Sequence, residues 1–315
     1  MLRAILARVL TAIGILLVVS VVVFFGISAL PGDAAQAVLG RQATPAALAQ
    51  FRSTHGLDHP LWRQYLSWFG GLLRGDLGTS LASGQSVTTI LGSRFTYTLT
   101  LAAGTAIVLI PLAMLLGIWS ATRATKATDQ IISLSTLTFI SMPEFVIGTF
   151  AAALLAVALR VFPSTSLIDP YQPLLSQLNE LALPMITLVL ASVAQATRMI
   201  RATMIDVLRS EYVQMAELKG VSRRRILFRH ALPNAMGPTL QIFAFTLAYL
   251  VGGVVTVEVL FGFPGLGSAL VDSVHVRDFP TVEAMVMLGT ALYVLLILAA
   301  DIGAMLLNPR LRRSA

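Results

Sequence analysis

"EYVQMAELKGVSRRRILFRHALPNA", residues 211–235, packs a dense, mostly basic island into a chain otherwise short of charge. Of the 315 residues, 12% are Asp, Glu, Lys or Arg and 56% are hydrophobic. Glu211–Lys219 suits two and a half helical turns, and Gly220 suits the left-handed position that closes a helix. Ser222 suits the N-cap of a second short helix from Arg223 to about Ala231, which Pro233 is expected to break before the next apolar run begins. Ala216 and Gly220, four residues apart, predict a small-residue notch that another protein can approach closely.

Working outward, the flanking sequence is too apolar for water. Mean hydropathy is +0.82, and soluble domains carry roughly 25% charged residues. Six uncharged or nearly uncharged runs reach the length of a bilayer-crossing helix. They are Val9–Gly32, Phe95–Thr122, Ile131–Leu159, Leu181–Thr197, Ala231–Val257 and Ala284–Ala300. Glu144 interrupts the third, Glu258 adjoins the fifth, and Glu283 and Asp301 flank the sixth. The first is expected to be a retained helix, because its apolar core is longer than a signal-peptide h-region and "SALPGDA" is a poor cleavage site. The chain has no cysteine, so disulfides and cysteine-based metal sites are excluded.

The net charge of +7 follows this pattern. With the N-terminus inside and six crossings, 15 of the 22 Lys and Arg fall on the inner side, eight of them between Arg198 and Arg229. Clustered basic residues at short inner loops orient a membrane protein. The charge therefore reads as an N-in, C-in topology and not as a nucleic-acid footprint. Outside, residues 33–96 form the longest segment beyond the membrane. Trp62, Tyr65, Leu66 and Phe69 recur there at helical spacing, predicting a helix on or in the outer interface. "RGDLGTS" after it reads as a turn, with Asp76 bonding local backbone.

Three roles suit the island: a loop that only orients the chain, a site for anionic lipid, and a docking knob for a cytoplasmic partner. A merely orienting loop needs no helix–glycine–helix with a defined stop.

The residues "QMAELKGVSRRRILFRHALP" resemble the coupling loop of binding-protein-dependent ABC importer permeases, written E-A-A-x3-G-x9-I-x-L-P. Ala216, Gly220, Leu232 and Pro233 match it, while Gln214, Met215 and His230 depart. "GLDHPLWRQY", "RGDLGTS", "SMPEFVIG", "GGVVTVEVLFGFPGLGSALVDSVHVRDFP" and "LLNPRLRR" resemble the dipeptide/oligopeptide/nickel branch in the same order, over nearly the whole chain. Asn308 departs where the family usually has Asp, and Glu144 where an uncharged residue is commoner.

The resemblance implies an all-α polytopic fold, a type I ABC importer transmembrane domain with six transmembrane helices. Residues 1–32 would be an N-terminal transmembrane helix and 33–93 an extracytoplasmic segment with an interfacial helix. The five-helix transmembrane domain would run over 94–307, with the coupling loop at about 206–235, and 308–315 would be a cytoplasmic tail. It implies a multi-pass inner-membrane permease subunit for di- or oligopeptides, or alternatively for a nickel chelate or glutathione. Implied partners are a second homologous permease, two ATPase subunits, an extracytoplasmic binding protein and the bilayer, with no nucleic acid. Gln214, Met215, Ala216, Glu217, Gly220, Arg223, Arg224 and Pro233 would meet the ATPase.

No cofactor is expected on this chain, with ATP and magnesium held by the partners. A P-loop needs Gly-Lys-Ser/Thr, and neither lysine, Lys126 or Lys219, follows a glycine. An ionisable group inside the membrane is a functional-site candidate. Glu144 follows Met142-Pro143, where a proline kink frees a carbonyl, and is expected on the translocation path. It would attract a cationic substrate or a peptide's amino terminus there, the bland alternative being a structural pairing. Glu258 with Phe261, Pro264 and Gly265 is expected to form a structural or gating element in the outer loop. Glu283 is expected to be hydrated at the outer boundary, and Asp301 to pair near Arg310–Arg313.

The four histidines, His55, His59, His230 and His275, are scattered in sequence and predict no metal site. The chain is expected not to be an enzyme. Rival classes are a membrane scaffold or lipid-docking regulator, a secondary transporter, and an intramembrane hydrolase, which would need paired catalytic groups at one depth.

Overall fold

The computed structural model describes residues 2–29, 32–40 and 42–307. Of the described residues, 79% are helical. Helix α1 (Leu2–Ser28) is followed by three short helices in the outer segment, α2 (Ala34–Leu39), α3 (Pro45–Thr54) and α4 (Leu61–Leu73). Then come α5 (Val87–Thr122), α6 (Ala127–Ser141), and α7 (Glu144–Ala152), which runs on into a π turn at Ala153–Ala158. After a 3-10 turn (Leu174–Gln177), α8 (Leu178–Leu208) leads to α9 (Glu211–Leu218). Next, α10 (Arg223–Arg225) passes through a π turn at Ile226–Ala231 into α11 (Leu232–Gly253). Finally α12 (Val255–Phe261), α13 (Leu266–His275) and α14 (Phe279–Leu307) close the chain.

Among the described residues, four helices, α1, α5, α8 and α14, are long and apolar enough to cross a membrane, and counting each of two bent helix pairs as one span gives six. The centre of the bundle is the pairing of α5 with α8, where Leu101, Leu109, Leu181, Leu188 and Ile200 are buried. Small residues let the two backbones approach, as they do between membrane helices generally. A Cβ on Gly117 would lie 2.7 Å from Ile200. The long α14 packs against both α1 and α11.

The third apolar run is broken more sharply than a kink. Helices α6 and α7 meet at 103° across Met142-Pro143. Pro143 acts as the N-cap of a new helix, its carbonyl accepting from Val146 and Ile147, so Glu144 opens α7. The expected break at Pro233 is absent. Helix continues from Arg223 to Leu250, and Pro233 lies in the first turn of α11. A proline deprives the carbonyl four residues back of its partner. The preceding π turn, with its i→i+5 bonds, accommodates that loss without ending the helix. The second half of the island is therefore the end of a span, and within the island only α9 is a free-standing helix.

In the outer segment, Tyr65 and Trp68 of α4 pack on Phe24 and Phe25 of α1, Phe69 stacks on Tyr65, and the Ser20 and Tyr65 hydroxyls are 3.0 Å apart. Trp62 and Leu66 face outward. Asp76 accepts from the Gly78 N–H in the turn that follows, as the sequence suggests. Glu283 does not stand at an open boundary as expected but is buried, at 5% exposure, in the wall of a cavity that α4 and the outer turn form over the start of α14. Asp301 does pair, with Arg8 of α1, since α14 lies against α1. Arg310, Arg312, Arg313 and the motif "NPRLRR" lie outside the described residues.

Candidate functional site

Helix α9 ends in a Schellman closure. The Val221 N–H donates to Ala216 O at 3.1 Å and the Gly220 N–H to Glu217 O at 2.9 Å. Gly220 has φ +75°, a conformation a side chain strains. Val221 also completes the apolar contact of the motif, packing with Val213, Ala216 and Ile226 in a small core between α9 and the π turn. That core seats the helix firmly on the end of the bundle.

It also corrects the expected notch. Ala216 faces inward and is buried, so it holds α9 to its own chain and does not receive a partner. Gly220 does stand open, since a Cβ added to it would meet no atom within 4 Å. Gln214, Met215, Glu217, Arg223, Arg224 and Pro233 are exposed, with the Gln214 side chain donating to Arg209 O at 3.0 Å. Sequence reading missed the apolar face beside them. Tyr212, Met215 and Leu218 are exposed at 44%, 54% and 83%. Their spacing of three is the signal that could have shown it.

A second constellation lies in an open cavity on the flank of the bundle. This cavity, of about 620 Å³, is walled by α6, α8, α11, α14 and the start of α7, with Phe139, Met142, Glu144, Ser192, Gln195 and Tyr249 on its surface. Glu144 Oε1 and Ser192 Oγ are buried there with no hydrogen-bond partner among the described residues. A buried polar atom without a partner is costly, and two of them face this cavity.

The expected gate residues do not join this cavity. Glu258 is fully buried and accepts from Thr98 Oγ1 at 2.6 Å, the Gly267 N–H at 2.6 Å and the Ser268 N–H at 3.1 Å. The Leu266 N–H in turn donates to Thr98 Oγ1 at 2.8 Å. Glu258 thus caps α13 and ties it to α5. Gly265 leaves room for it, because a Cβ there would fall 2.0 Å from the carboxylate. Phe261 is buried beneath, its carbonyl accepting from the Ser166 N–H at 2.8 Å, and Pro264 is half-buried. This corner is a fixed structural anchor in the described conformation.

One further group was not foreseen. Arg201 of α8 donates through Nε and Nη2 to Asp129 of α6 at 2.6 and 2.7 Å. Asp129 also accepts from Ser120 of α5 and from the Thr125 N–H at 2.9 Å. It fastens three helices together just above α9.

Comparison with known proteins decides what this arrangement belongs to. Residues 113–313 match the family described as "Binding-protein-dependent transport system inner membrane component", and residues 1–102 match the N-terminal region of such membrane components. The chain belongs to this family. It is a multi-pass inner-membrane permease subunit of the ABC type, with the type I importer membrane fold. Similar proteins include a probable peptide ABC transporter permease of Sinorhizobium fredii, 32% identical over 98% of both chains. The glutathione transport system permease of Salmonella typhimurium is 34% identical over 99% of both. An oligopeptide transport system permease of Bacillus subtilis is 33% identical over 98% of both. In this permease, the residues that resemble the E-A-A-x3-G motif form α9 and its closure, and the broken third span contributes to the wall of the cavity at Glu144.

Proposed function

We propose that this permease carries di- or oligopeptides inward, and that α9 is the helix through which cytoplasmic ATPases drive it. Two such subunits, this chain and a homologue, would enclose the path, fed by an extracytoplasmic binding protein. Two ATPase subunits holding ATP and magnesium would supply the energy. The observation that carries the coupling role is the seating of α9. It is rigidly closed at Gly220, anchored inward by Val213 and Ala216, and presents Tyr212, Met215 and Leu218 outward beside Arg223 and Arg224. A firmly held helix with an exposed apolar face transmits a push, where a loop that merely orients the chain would not.

With both termini inside, α9 lies on the cytoplasmic side, as the distribution of Lys and Arg supports. In the flank cavity, Glu144 would receive the ammonium group of the substrate, with Ser192 and Gln195 bonding its backbone. Residues 1–32, 33–93 and 94–307 would serve as anchor, outer segment and transport domain. A glutathione substrate is the second reading, favoured by the name of the 34%-identical relative, and it too carries a free ammonium group.

The test is Gly220→Arg in the assembled transporter. It should abolish uptake and release the ATPase subunits while the permease remains in the membrane. Uptake at the wild-type rate would overturn the coupling role.

A further inference from the structure

A second cavity, of about 600 Å³, opens at the outer end of α1 and α14 under the outer segment. Glu283 lies in its wall at 5% exposure and makes no hydrogen bond or ion pair with any described residue. The neighbouring carboxylates are already engaged. Asp278 accepts from Ser80 Oγ, the Leu81 N–H and Thr281 Oγ1 at 2.6–2.8 Å, and Asp76 accepts from the Gly78 N–H. The carboxylate therefore faces the cavity, where a cation or donor would offset the cost of its burial. Arg63 of α4 lines the same cavity without pairing to Glu283, and Trp68 and Phe24 supply aromatic walls. Such a site suits a small group with an ammonium at the Glu283 end and an anion near Arg63.

Directly inward lies a wholly apolar cavity of about 370 Å³, between the same three helices. Its lining includes Leu16, Leu17, Leu72, Met287 and Ala291. The two cavities are neighbours. Glu283 lines the polar one and Ala284 the apolar one, and Trp68 with Phe69 and Gly78 with Leu77 divide in the same way. From Glu283 to Ala291 is about 12 Å along α14 at 1.5 Å per residue, so the two cavities together reach from the headgroup level into hydrocarbon.

We propose that these two cavities between α1, α4 and α14 together bind one outer-leaflet phospholipid with a primary ammonium headgroup. Its ammonium meets Glu283, its phosphate faces Arg63, and an acyl chain fills the apolar part. The neighbouring apolar cavity argues for a lipid over a free amine, and the Glu283 carboxylate, which bonds no described residue, argues for phosphatidylethanolamine over phosphatidylcholine or phosphatidylglycerol. The site lies on the α1 side of α14, apart from the cavity at Glu144, so it would hold the outer segment to the bundle without occupying the path.

The assembled transporter, purified from nanodiscs of phosphatidylethanolamine, phosphatidylcholine and phosphatidylglycerol in equal parts, is examined for retained lipid by native mass spectrometry. Phosphatidylethanolamine should be enriched about tenfold, the worth of one charge-assisted bond. Glu283→Gln should abolish the enrichment and Glu283→Asp should keep most of it. If Glu283→Gln fails to assemble, Arg63→Ala and Ala291→Trp carry the test, and each should lower retention on its own. Equal retention by wild type and Glu283→Gln, or phosphatidylcholine held as well as phosphatidylethanolamine, would overturn the proposal. So would displacement of the lipid by free phosphoethanolamine at equal concentration, which would mark a headgroup-only site.

Discussion

Asp129 and Arg201 stand 72 positions apart in the chain, yet form a two-point pair at 2.6 and 2.7 Å that fastens α6 to α8. Asp129 is buried, at 4% exposure, and its remaining acceptor capacity is taken by Ser120 and the Thr125 N–H. Under the proposed coupling role, a push on α9 would reach the bundle through the π turn and the end of α8, and this pair would carry it on to α6.

Removing one partner of such a pair strands the other. Asp129→Ala should cost about 3–5 kcal/mol, read as a lowered melting temperature of the purified transporter. Arg201→Gln should lower uptake more than it lowers ATP hydrolysis, because the ATPases still close while α6 follows poorly. Equal losses in both activities would assign the pair to stability alone.

Gly265 and Glu258 make a second test of fixed geometry. Gly265→Ala drives a methyl group to 2.0 Å from the Glu258 carboxylate, so either the cap on α13 or the turn must give way. Glu258→Ala leaves Thr98 and two backbone N–H groups without their acceptor, at about 1–3 kcal/mol for each buried group left unpaired. Both variants should reduce the amount of folded permease in the membrane, measured by size-exclusion profile in detergent.

Glu144 can be tested on substrate chemistry. Glu144→Gln should lower uptake of peptides with a free amino terminus by about tenfold, the worth of one charge-assisted hydrogen bond. Peptides acetylated at that end should be transported equally by both forms. An equal loss on both peptide classes would assign Glu144 to structure.

Much of this was legible in the sequence, and the failures share a physical cause. Helices α1, α5, α8 and α14 announce themselves because a long uncharged run has one stable state in a bilayer. Gly220 was legible because the left-handed closure is a local demand. Pro143 signalled a break but not its 103° angle, which is set by what α6 and α7 pack against. Pro233 was read as a stop because local rules omit the π turn that accommodates it. Ala216, Glu283, the pair Arg8 with Asp301, and the pair Asp129 with Arg201 all depend on contacts between distant segments. No spacing along the chain encodes those.

The outer segment carries the pH-dependent element. Arg52 donates to Asp33 at 2.5 Å, and this bond holds the Asp33 carboxyl below its ordinary range. A depressed folded-state value means the pairing stabilises the fold above the unfolded pKa of about 3.9. It is lost as pH falls through the lower, folded value. Limited proteolysis of the α2–α3 region should therefore be unchanged from pH 8 to about pH 5 and rise sharply in more acid solution. Arg52→Ala should make the region sensitive at neutral pH.

The most direct measurement uses Leu218, 83% exposed at the tip of α9, in a chain without cysteine. Leu218→Cys in the assembled transporter provides a single thiol for a short bismaleimide, alongside a cysteine placed on the ATPase surface. The account predicts a permease–ATPase cross-link, and protection of the thiol from a maleimide that cannot cross the membrane when applied outside. Labelling from outside, or full uptake with a bulky adduct on Leu218→Cys, would contradict it.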